Sequence, residues 1–305
     1  MRWYLKFVLQ RTLSVIPWGP RINCFFQEHF GELRSVDIGE RVREIKELFI
    51  VPIVERYGFA SNLKVVEIGT GWVPVLPILL SLLGNECKSF DVVRWLNVRR
   101  FKNTLNSIIK CLHYLNDIPG FSLNDAMRRY EQIIATENLK LQNLGWTYIA
   151  PIDTTHLPLK DNSQDIVVSR LVLEHIPQSV LPSVVKETWR ILRPGGLAIH
   201  KINLHDEYAQ VDPKVTLINF LKFPSWFWNL FINNRIKFVN QSRYPYYLKL
   251  FKDTGFQILK VRKKIDERSY KALSTMKIAR EFRKYSKEEL ATIGITVVLE
   301  KWEKS

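Results

Sequence analysis

A predicted strand that runs directly into a glycine loop constrains the fold of this 305-residue chain most. Residues 63–68 read as a buried β-strand, and Gly69 and Gly71 follow it. Because glycine has no Cβ, such a loop can turn tightly and a ligand can approach its backbone closely. A helix predicted over 75–83 comes next. A dinucleotide fingerprint would have a third glycine where this chain has Pro74, so the loop suits a nucleoside without phosphates better than NAD.

An acidic residue lies where a nucleoside site needs one. Residues 88–93 read as the next strand, with Asp91 at its end and Val92 directly after it. This acid is about 20 residues past the loop, where α/β nucleoside sites hold the ribose hydroxyls with a carboxylate. One carboxylate can accept hydrogen bonds from both hydroxyls. The alternative is a strand and a polar turn, in which Gly and Asp serve turn geometry alone.

Three more strands are predicted downstream. A strand over 148–153 carries Asp153 at its end, and a continuous apolar strand follows over 165–169. A helix over about 179–192 and a turn over 193–196 then lead to a strand over 197–202. Strands that alternate with helices in this way are typical of a parallel α/β sheet.

At these residues the chain resembles the class I S-adenosylmethionine-dependent methyltransferases, in particular the small-molecule type, methyltransferase type 11. The matching pieces, in the family's order, are Glu67-Ile68-Gly69-Thr70-Gly71, Asp91, Asp153 with Leu157-Pro158, Asp165 to Ser169, Leu173-Glu174-His175 and Leu192-Arg193-Pro194-Gly195-Gly196. The resemblance implies an α/β, Rossmann-like three-layer sandwich around a seven-stranded, mostly parallel sheet. Its last strand would be antiparallel, and helical insertions would form a cap. One departure is Trp72-Val73-Pro74, where many members keep a further small residue.

The resemblance also implies S-adenosyl-L-methionine as the cofactor, with no metal. The implied cofactor-binding residues are Glu67, Gly69, Thr70, Gly71, Trp72, Asp91, Val92, Asp153, Thr154, Ser169 and Arg170. Asp91 would hold the ribose hydroxyls, and Asp153 would accept from the adenine amino group. Ser169 and Arg170 would flank the methionine end. Trp72 would either face the sulfonium through a cation–π contact or pack on a neighbouring helix.

The rest of the chain predicts a cap and insertions around this domain. Residues 1–60 read as an N-terminal helical cap, with Val42, Ile45, Leu48 and Phe49 on one helix face. Residues 61–305 form the methyltransferase domain, with insertions at about 94–145 and 205–245. The further predicted elements are helices over 94–115, 123–141 and 245–252, strands over 256–261 and 295–300, and a capped turn over 286–289.

Three histidines are candidates for a general base. Methyl transfer from a sulfonium is an in-line displacement, and a base adds to the rate when the acceptor is a hydroxyl. His205 is the first choice, because it lies on the loop that leaves the carboxyl edge of the sheet, where ligands bind. His200 and His175 are the others. The alternative for each is a structural or solvated histidine.

Charge and aromatic residues are concentrated near the C-terminus. From residue 221 onward there are 19 Lys and Arg residues against 8 Asp and Glu. Such a surface suits nucleic acid, an anionic membrane or an anionic substrate, or it is simply solvated. The densest aromatic cluster lies over 220–231. It predicts a substrate-side lid or an interfacial patch, with core packing as the alternative.

The expected function is methyl transfer from S-adenosylmethionine to oxygen of a small-molecule or glycan acceptor. Residues 203–208 and 240–243 are similar to bacterial methyltransferases linked with cell-surface glycans, which favours a sugar or lipid-linked acceptor. The alternatives are an RNA methyltransferase that uses the basic C-terminal third, and an inactive methyltransferase-like binding protein. We expect a cytoplasmic protein with peripheral contact at the inner membrane face, because no apolar run approaches the ~20 residues of a membrane span and the N-terminus is charged too early for a signal peptide. The three cysteines have no metal or redox spacing.

Overall fold

One seven-stranded sheet organises the protein, and the computed structural model describes residues 2–29, 36–134 and 145–302. The strand order is β3-β2-β1-β4-β5-β7-β6. The strands are β1 (Lys64–Ile68), β2 (Glu86–Phe90), β3 (Trp146–Ile149), β4 (Gln164–Arg170), β5 (Leu192–Asn203), β6 (Phe256–Ile265) and β7 (Thr292–Lys301). β1 to β5 pair in parallel, and β7 is antiparallel to both β5 and β6. The predicted fold class is confirmed.

Helices cover both faces of the sheet. They are α1 (Trp3–Val15), α2 (Gly19–His29), α3 (Ile38–Ile45), α4 (Val51–Tyr57), α5 (Val75–Leu82), α6 (Val98–Ile109), α7 (Leu123–Ile134), α8 (Leu181–Ile191), α9 (Ser225–Phe227), α10 (Tyr244–Thr254), α11 (Glu267–Ala272) and α12 (Lys287–Ala291). One core packs α3 to α7 against the sheet, and a second packs α8 and α10 against the other face. The result is a three-layer sandwich whose parallel strands are buried on both sides.

The chain order reverses between β1 and β4, which are neighbours in the sheet. At such a reversal the loops after the two strands diverge, and they leave a crevice at the carboxyl ends. The glycine loop follows β1 there, and the loop after β4 faces it. The topology therefore puts the predicted cofactor residues at one edge of the sheet.

Several predicted element boundaries were wrong. The helix predicted over 94–115 begins only at Val98, because the Asn97 side chain caps the Arg100 N–H, and it ends at Ile109. A short 3₁₀ turn, Leu112–Leu115, follows it. The strand predicted over 148–153 is Trp146–Ile149 instead, since Pro151 has no N–H to donate to a ladder. The turn predicted over 193–196 lies within β5, beside a register irregularity with β4.

Other local predictions are confirmed. Ser286 and Glu289 form the expected capping box. In the predicted N-terminal helix, Val42, Ile45 and Phe49 are fully buried and Leu48 packs against the same core. The helix predicted over 123–141 begins at Leu123, and its last seven residues lie outside the described part of the chain.

The segment between β5 and α10 builds a third core of its own. Phe220 and Trp228 are buried in it, with Phe223 and Phe227 packed around them. The prediction that all six aromatics of 220–231 face a substrate or an interface was therefore wrong for Phe220 and Trp228. Trp226 and Phe231 are exposed. None of the described helices is long and apolar enough to span a bilayer.

Candidate active site

The glycine loop is packed at its first glycine and open at its second. Gly69 has φ +79°, and its N–H donates to the carbonyl of Phe90 at 2.8 Å. A Cβ at position 69 would lie 2.9 Å from Cγ1 of Val172. Gly71 has φ +66°, and a Cβ there would meet no heavy atom within 4 Å. The space in front of Gly71 is what a ligand lying against the loop requires.

Glu67 is buried under this loop, and its side chain makes hydrogen bonds to other residues of the protein. Its Oε2 accepts from Thr70 Oγ1 at 2.6 Å and from Ser89 Oγ at 2.8 Å. Trp146 Nε1 donates to Ser89 Oγ at 2.8 Å and extends the network to β3. Burial raises the pKa of Glu67 to about 7. Glu67 therefore ties the loop to the neighbouring strands.

Asp91 is a buried acceptor at the end of β2. Its Oδ2 accepts from the N–H of Gly71 at 3.0 Å and from Tyr148 Oη at 3.1 Å. Burial raises the pKa of Asp91 to about 6, although these donors oppose the shift. A carboxylate in this state gains from further hydroxyl donors, and the two hydroxyls of a ribose would supply them.

Asp153 follows β3 on the same edge of the sheet. Its Oδ1 accepts from the N–H of Thr155 at 2.8 Å and from Thr155 Oγ1 at 2.7 Å. These hydrogen bonds lower the pKa of Asp153, so the exposed side chain is ionised at neutral pH. Thr154 beside it is buried, and Val92 is exposed next to Asp91. The adenine role of Asp153 stays a prediction.

Trp72 packs on an aromatic neighbour. Its ring stacks on Trp95 with centroids 4.4 Å apart, and the Arg100 guanidinium lies 4.8 Å from the Trp72 ring centroid. Of the two expectations for Trp72, the structure shows the packing contact. Sequence reasoning did not identify Trp95 or Arg100, which lie in the segment after β2.

The end of β4 sends two predicted residues to opposite faces of the sheet. Ser169 Oγ lies 2.7 Å from Nδ1 of His200, and both residues are buried on the α10 side, where His200 stacks on Phe251. Burial lowers the pKa of His200 to about 3. Arg170 points to the other face, where its Nε donates to Oε1 of Glu44 at 2.8 Å.

Glu44 joins Arg170 to Lys201. Glu44 Oε2 also accepts from Lys201 Nζ. Burial opposes ionisation of Glu44, but the two cations outweigh it and lower its pKa. Burial lowers the pKa of Lys201, with Glu44 acting against that shift. Glu44, Arg170 and Lys201 together form an ionised link between α3, β4 and β5.

A cavity of about 620 Å³ opens beside Glu44 and Lys201, at the carboxyl edge of the sheet. Its walls include Glu44, Leu171, Lys201, His205 and Arg262. Leu171 has φ +58°, a strained conformation for a leucine, and its neighbour Val172 lies against Gly69. Leu171 and Val172 of the strained turn after β4 therefore lie between the cavity and the glycine loop.

Of the three candidate histidines, only His205 lines this cavity. Its Nε2 lies 3.1 Å from Asn203 Nδ2 and also contacts Gln210 Nε2. Burial lowers the pKa of His205, although Glu207 opposes this shift. In the tautomer protonated at Nδ1, Nε2 accepts from both amides. A neutral histidine with an acceptor nitrogen is therefore in place.

His175 instead contacts a carboxylate. Its Nε2 lies 3.4 Å from Glu207 Oε1, and Lys237 Nζ lies 2.8 Å from Glu207 Oε2. Burial acts to lower the pKa of His175, but Glu207 and Glu174 outweigh it and raise the pKa. Glu174 is itself buried, and its Oε1 accepts from the N–H of Asn203 at 3.1 Å. The Glu174–His175 pair thus positions the end of β5, where Asn203 and His205 begin the cavity wall.

Sequence reasoning missed Glu44, Tyr148 and Lys201. A lysine inside an otherwise apolar strand was the available signal for Lys201. Glu44 carries no local signal, because its partners are distant in the chain. The excess of Lys and Arg after residue 221 is evident in the sequence, but nothing local places Arg262 in a cavity.

Comparison with known proteins gives one family match and a set of distant structural similarities. A family model described as a methyltransferase domain, type 11, matches residues 107–200, less than half of the chain. No curated protein sequence matches this chain significantly.

Three solved structures illustrate the structural similarity. A candidate sarcosine dimethylglycine methyltransferase from Galdieria sulphuraria has a TM-score of 0.49 at 16% identity, covering 94% of this chain and 99% of its own. Magnesium protoporphyrin IX methyltransferase from Synechocystis, solved with bound SAH, has a TM-score of 0.47 at 15% identity, covering 92% and 99%. An S-adenosylmethionine-dependent methyltransferase from Methanosarcina mazei has a TM-score of 0.45 at 15% identity, covering 83% and 98%. No functional argument rests on similarities this distant.

Sheet order and glycine loop agree with the class I methyltransferase fold, and residues 107–200 match a methyltransferase domain. The cofactor that the resemblance implies is S-adenosylmethionine. The residues present fit this group, since the buried acceptor Asp91 lies beside the open space at Gly71. Asp91 would hold the ribose hydroxyls, and the ionised Asp153 would accept from the adenine amine. No group of His, Cys, Asp and Glu among the described residues could hold a metal ion.

Proposed function

We propose that this methyltransferase transfers the methyl group to an oxygen of a small-molecule or glycan acceptor that carries an anionic group. The observation that carries the proposal is the basic cavity beside the glycine loop. Its wall contains Lys201, Arg262, Lys263 and Lys264, against a single carboxylate, Glu44. A cavity with such an excess of cations binds anions.

Two rows of residues across the sheet form the floor of the cavity. Lys201 and Arg262 both pair with Thr296 of β7, so they flank it on the same face. Asn203 and Lys264 flank Gly294 in the same way. A Cβ at Gly294 would meet only the carbonyl of Ile202, at 3.5 Å. The missing side chain therefore leaves room between Asn203 and Lys264.

The two cations on β6 are available to a ligand. Glu44 is already bound by Arg170 and Lys201. Neither Arg262 nor Lys264 has a carboxylate partner among the residues that the structure describes. An arginine binds phosphate or carboxylate through two parallel hydrogen bonds. We assign the anionic group of the acceptor to Arg262 and Lys264.

His205 provides a place for the acceptor's proton. S-adenosylmethionine, when bound, supplies a methyl group on a positively charged sulfur that leaves with the bonding electron pair. An acceptor hydroxyl takes the position of the Gln210 amide and donates to Nε2 of His205. Since burial lowers the pKa of His205, the ring is neutral at pH 7 and can take this proton.

The test compares acceptors that differ only in charge. Formation of S-adenosylhomocysteine is measured with a hexose, a hexose phosphate and a hexuronic acid. We expect transfer to one of the two anionic sugars and not to the neutral hexose. The anionic sugar that is used decides between phosphate and carboxylate. Preference for the neutral sugar, or transfer to RNA instead, would contradict the proposal. Cofactor binding without transfer to any hydroxyl would indicate an inactive binding protein.

A variant pair links the activity to the cavity. Arg262→Gln should raise KM at least about tenfold, because a charged hydrogen-bond partner is lost. Lys260→Gln is the matched control, since Lys260 lies on the same strand and pairs with Glu55 outside the cavity. Equal effects of the two substitutions would show that the basic strand acts only through its overall charge.

A further inference from the structure

Helix α1 exposes an apolar stripe, although it lies at the surface of the protein. It buries Lys6, Gln10 and Ser14, with Leu13 as the buried apolar residue. Its exposed side includes Tyr4, Leu5, Val8, Leu9 and Val15. A surface helix normally turns its apolar stripe toward the core and its polar residues toward water. The exposed stripe of α1 is therefore a candidate docking surface.

The opposite side of α1 is docked on the protein through apolar and polar contacts, so the exposed stripe is not the result of a loose helix. The Trp3 N–H donates to Asp212 Oδ2 at 3.2 Å, and the Trp3 ring lies 6.0 Å from that of Phe223. The ring of Phe7 packs edge-on against Tyr208. At the other end of the helix, Arg11 donates to the carbonyl of Asn233 at 3.1 Å.

The stripe continues onto α9 through a chain of aromatic contacts. Trp3 touches both Tyr4 and Phe223, and Phe223 stacks on Phe227 at 5.6 Å. Phe227 in turn contacts Trp226 and Phe231. We call the exposed residues of this surface the apolar face; they are Leu5, Val8, Leu9, Trp226, Leu230 and Phe231.

Basic residues outnumber acidic ones around the apolar face, where the acidic side chains are Asp212, which accepts from the Trp3 N–H, and Glu281, which accepts from the N–H of Ser225 at 2.8 Å. Helix α1 has no acidic residue, and it carries Arg11 among exposed positions. Between Asp212 and Asp253 the sequence has basic residues but no acidic ones. Lys222 and Arg235 are exposed in that segment. A second copy of the chain would bring two basic surfaces together, whereas an anionic surface would be attracted.

We propose that the apolar face docks the protein on an anionic lipid bilayer. The exposed leucines and valine enter the boundary between headgroups and acyl chains, and Trp226 lies at that boundary, as tryptophans do in membrane interfaces. Basic side chains around the face meet the anionic headgroups. Helix α1 then lies in the plane of the membrane surface and does not cross it.

The experiment uses the full chain and vesicles of stated composition. Sedimentation with phosphatidylcholine vesicles is compared with sedimentation with vesicles that also contain phosphatidylglycerol. We expect binding to the anionic vesicles, weaker binding at high salt and little binding to the neutral ones. A protein that stays in the supernatant with both would overturn the proposal.

A charge placed on the apolar face should remove this binding without unfolding the protein. Leu9 is 49% exposed, and Leu9→Glu should weaken vesicle binding at least about tenfold while the melting temperature stays unchanged. Leu259→Glu is the matched control, because Leu259 is 44% exposed on β6, away from the apolar face. Equal binding by both variants would overturn the proposal. So would a wild-type dimer in size-exclusion chromatography that Leu9→Glu dissociates, since the face would then cover a second copy.

Discussion

The carboxylate of Asp91 accepts a hydrogen bond from the backbone of Gly71 at 3.0 Å, and this contact joins the end of β2 to the glycine loop after β1. The open side of the loop and the carboxylate of Asp91 therefore face the same ligand position. Tyr148 Oη completes the arrangement at 3.1 Å from the same oxygen.

We expect Asp91→Asn to weaken S-adenosylmethionine binding by ~1–3 kcal/mol, because the ribose hydroxyls lose a charged acceptor. Since burial raises the pKa of Asp91 to about 6, wild-type affinity should fall as the pH drops below about 6, and that of the variant should not. Calorimetry over this pH range measures both. Tyr148→Phe is the control, since it removes a neighbour of the carboxylate and keeps the charge. An unchanged affinity in folded Asp91→Asn would exclude Asp91 from the site.

The two loop glycines should respond differently to alanine. Gly69→Ala adds a Cβ against Val172 as well as strain from its positive φ, whereas Gly71→Ala adds only the strain, about 1–3 kcal/mol. Denaturant unfolding should therefore show the larger stability loss for Gly69→Ala. Gly71→Ala should mainly reduce cofactor affinity, because its Cβ enters the ligand space. Equal stability losses would argue against the close contact with Val172.

Asp153→Ala should reduce affinity for S-adenosylmethionine more than for an analogue that lacks the exocyclic amine of adenine. Only the natural cofactor loses a hydrogen-bond partner, while loosening of the loop through Thr155 affects both ligands. Competition binding with the two ligands measures the difference. Identical losses would remove Asp153 from the adenine site.

His200 should make stability depend on pH. Its pKa is lowered to about 3 by burial, so the folded state binds fewer protons than the unfolded state below the ordinary pKa of histidine. The contribution of neutral His200 to the free energy of unfolding is fully present above about pH 6.5. It should decrease by roughly 1–2 kcal/mol between pH 6.5 and 5. His200→Gln keeps a polar partner for Ser169, and its free energy of unfolding should depend less on pH between 6.5 and 5. A variant with the wild-type pH slope would show that His200 is accessible to protons in the folded protein.

Two tryptophans two positions apart should differ in their effect on stability. Trp228 is 1% exposed and its Nε1 donates to the carbonyl of Val239 at 3.2 Å, so Trp228→Ala should cost about 3–5 kcal/mol. Trp226 is 64% exposed, and Trp226→Ala should stay within about 0.5 kcal/mol of wild type. Thermal unfolding of both variants provides the measurement. A strongly destabilised Trp226→Ala would show that this ring is covered in the folded protein.

Much of the fold could be predicted from local sequence. Apolar runs and the glycine positions predicted β1, the loop and α5, because period and backbone freedom are properties of a few adjacent residues. The acids near the carboxyl ends of β1, β2 and β3 share an edge, since parallel strands end on the same side. The third core could not be read in this way, because Trp226 and Trp228 have the same residue type and differ only in what covers them.

The sequence by itself determined the fold class of this protein: the order of strand, glycine loop, acids and helices allows few topologies other than the observed seven-stranded sheet. Only the tertiary structure decided where the basic cavity lies. Glu44 and Lys201 meet across α3 and β5, and Arg262 reaches the same cavity through its register with Thr296. The exposed apolar stripe of α1 was likewise visible only once the other side of the helix was seen against the segment after β5. Long-range pairing and burial depend on which distant segments pack together, and no local window of residues contains that information.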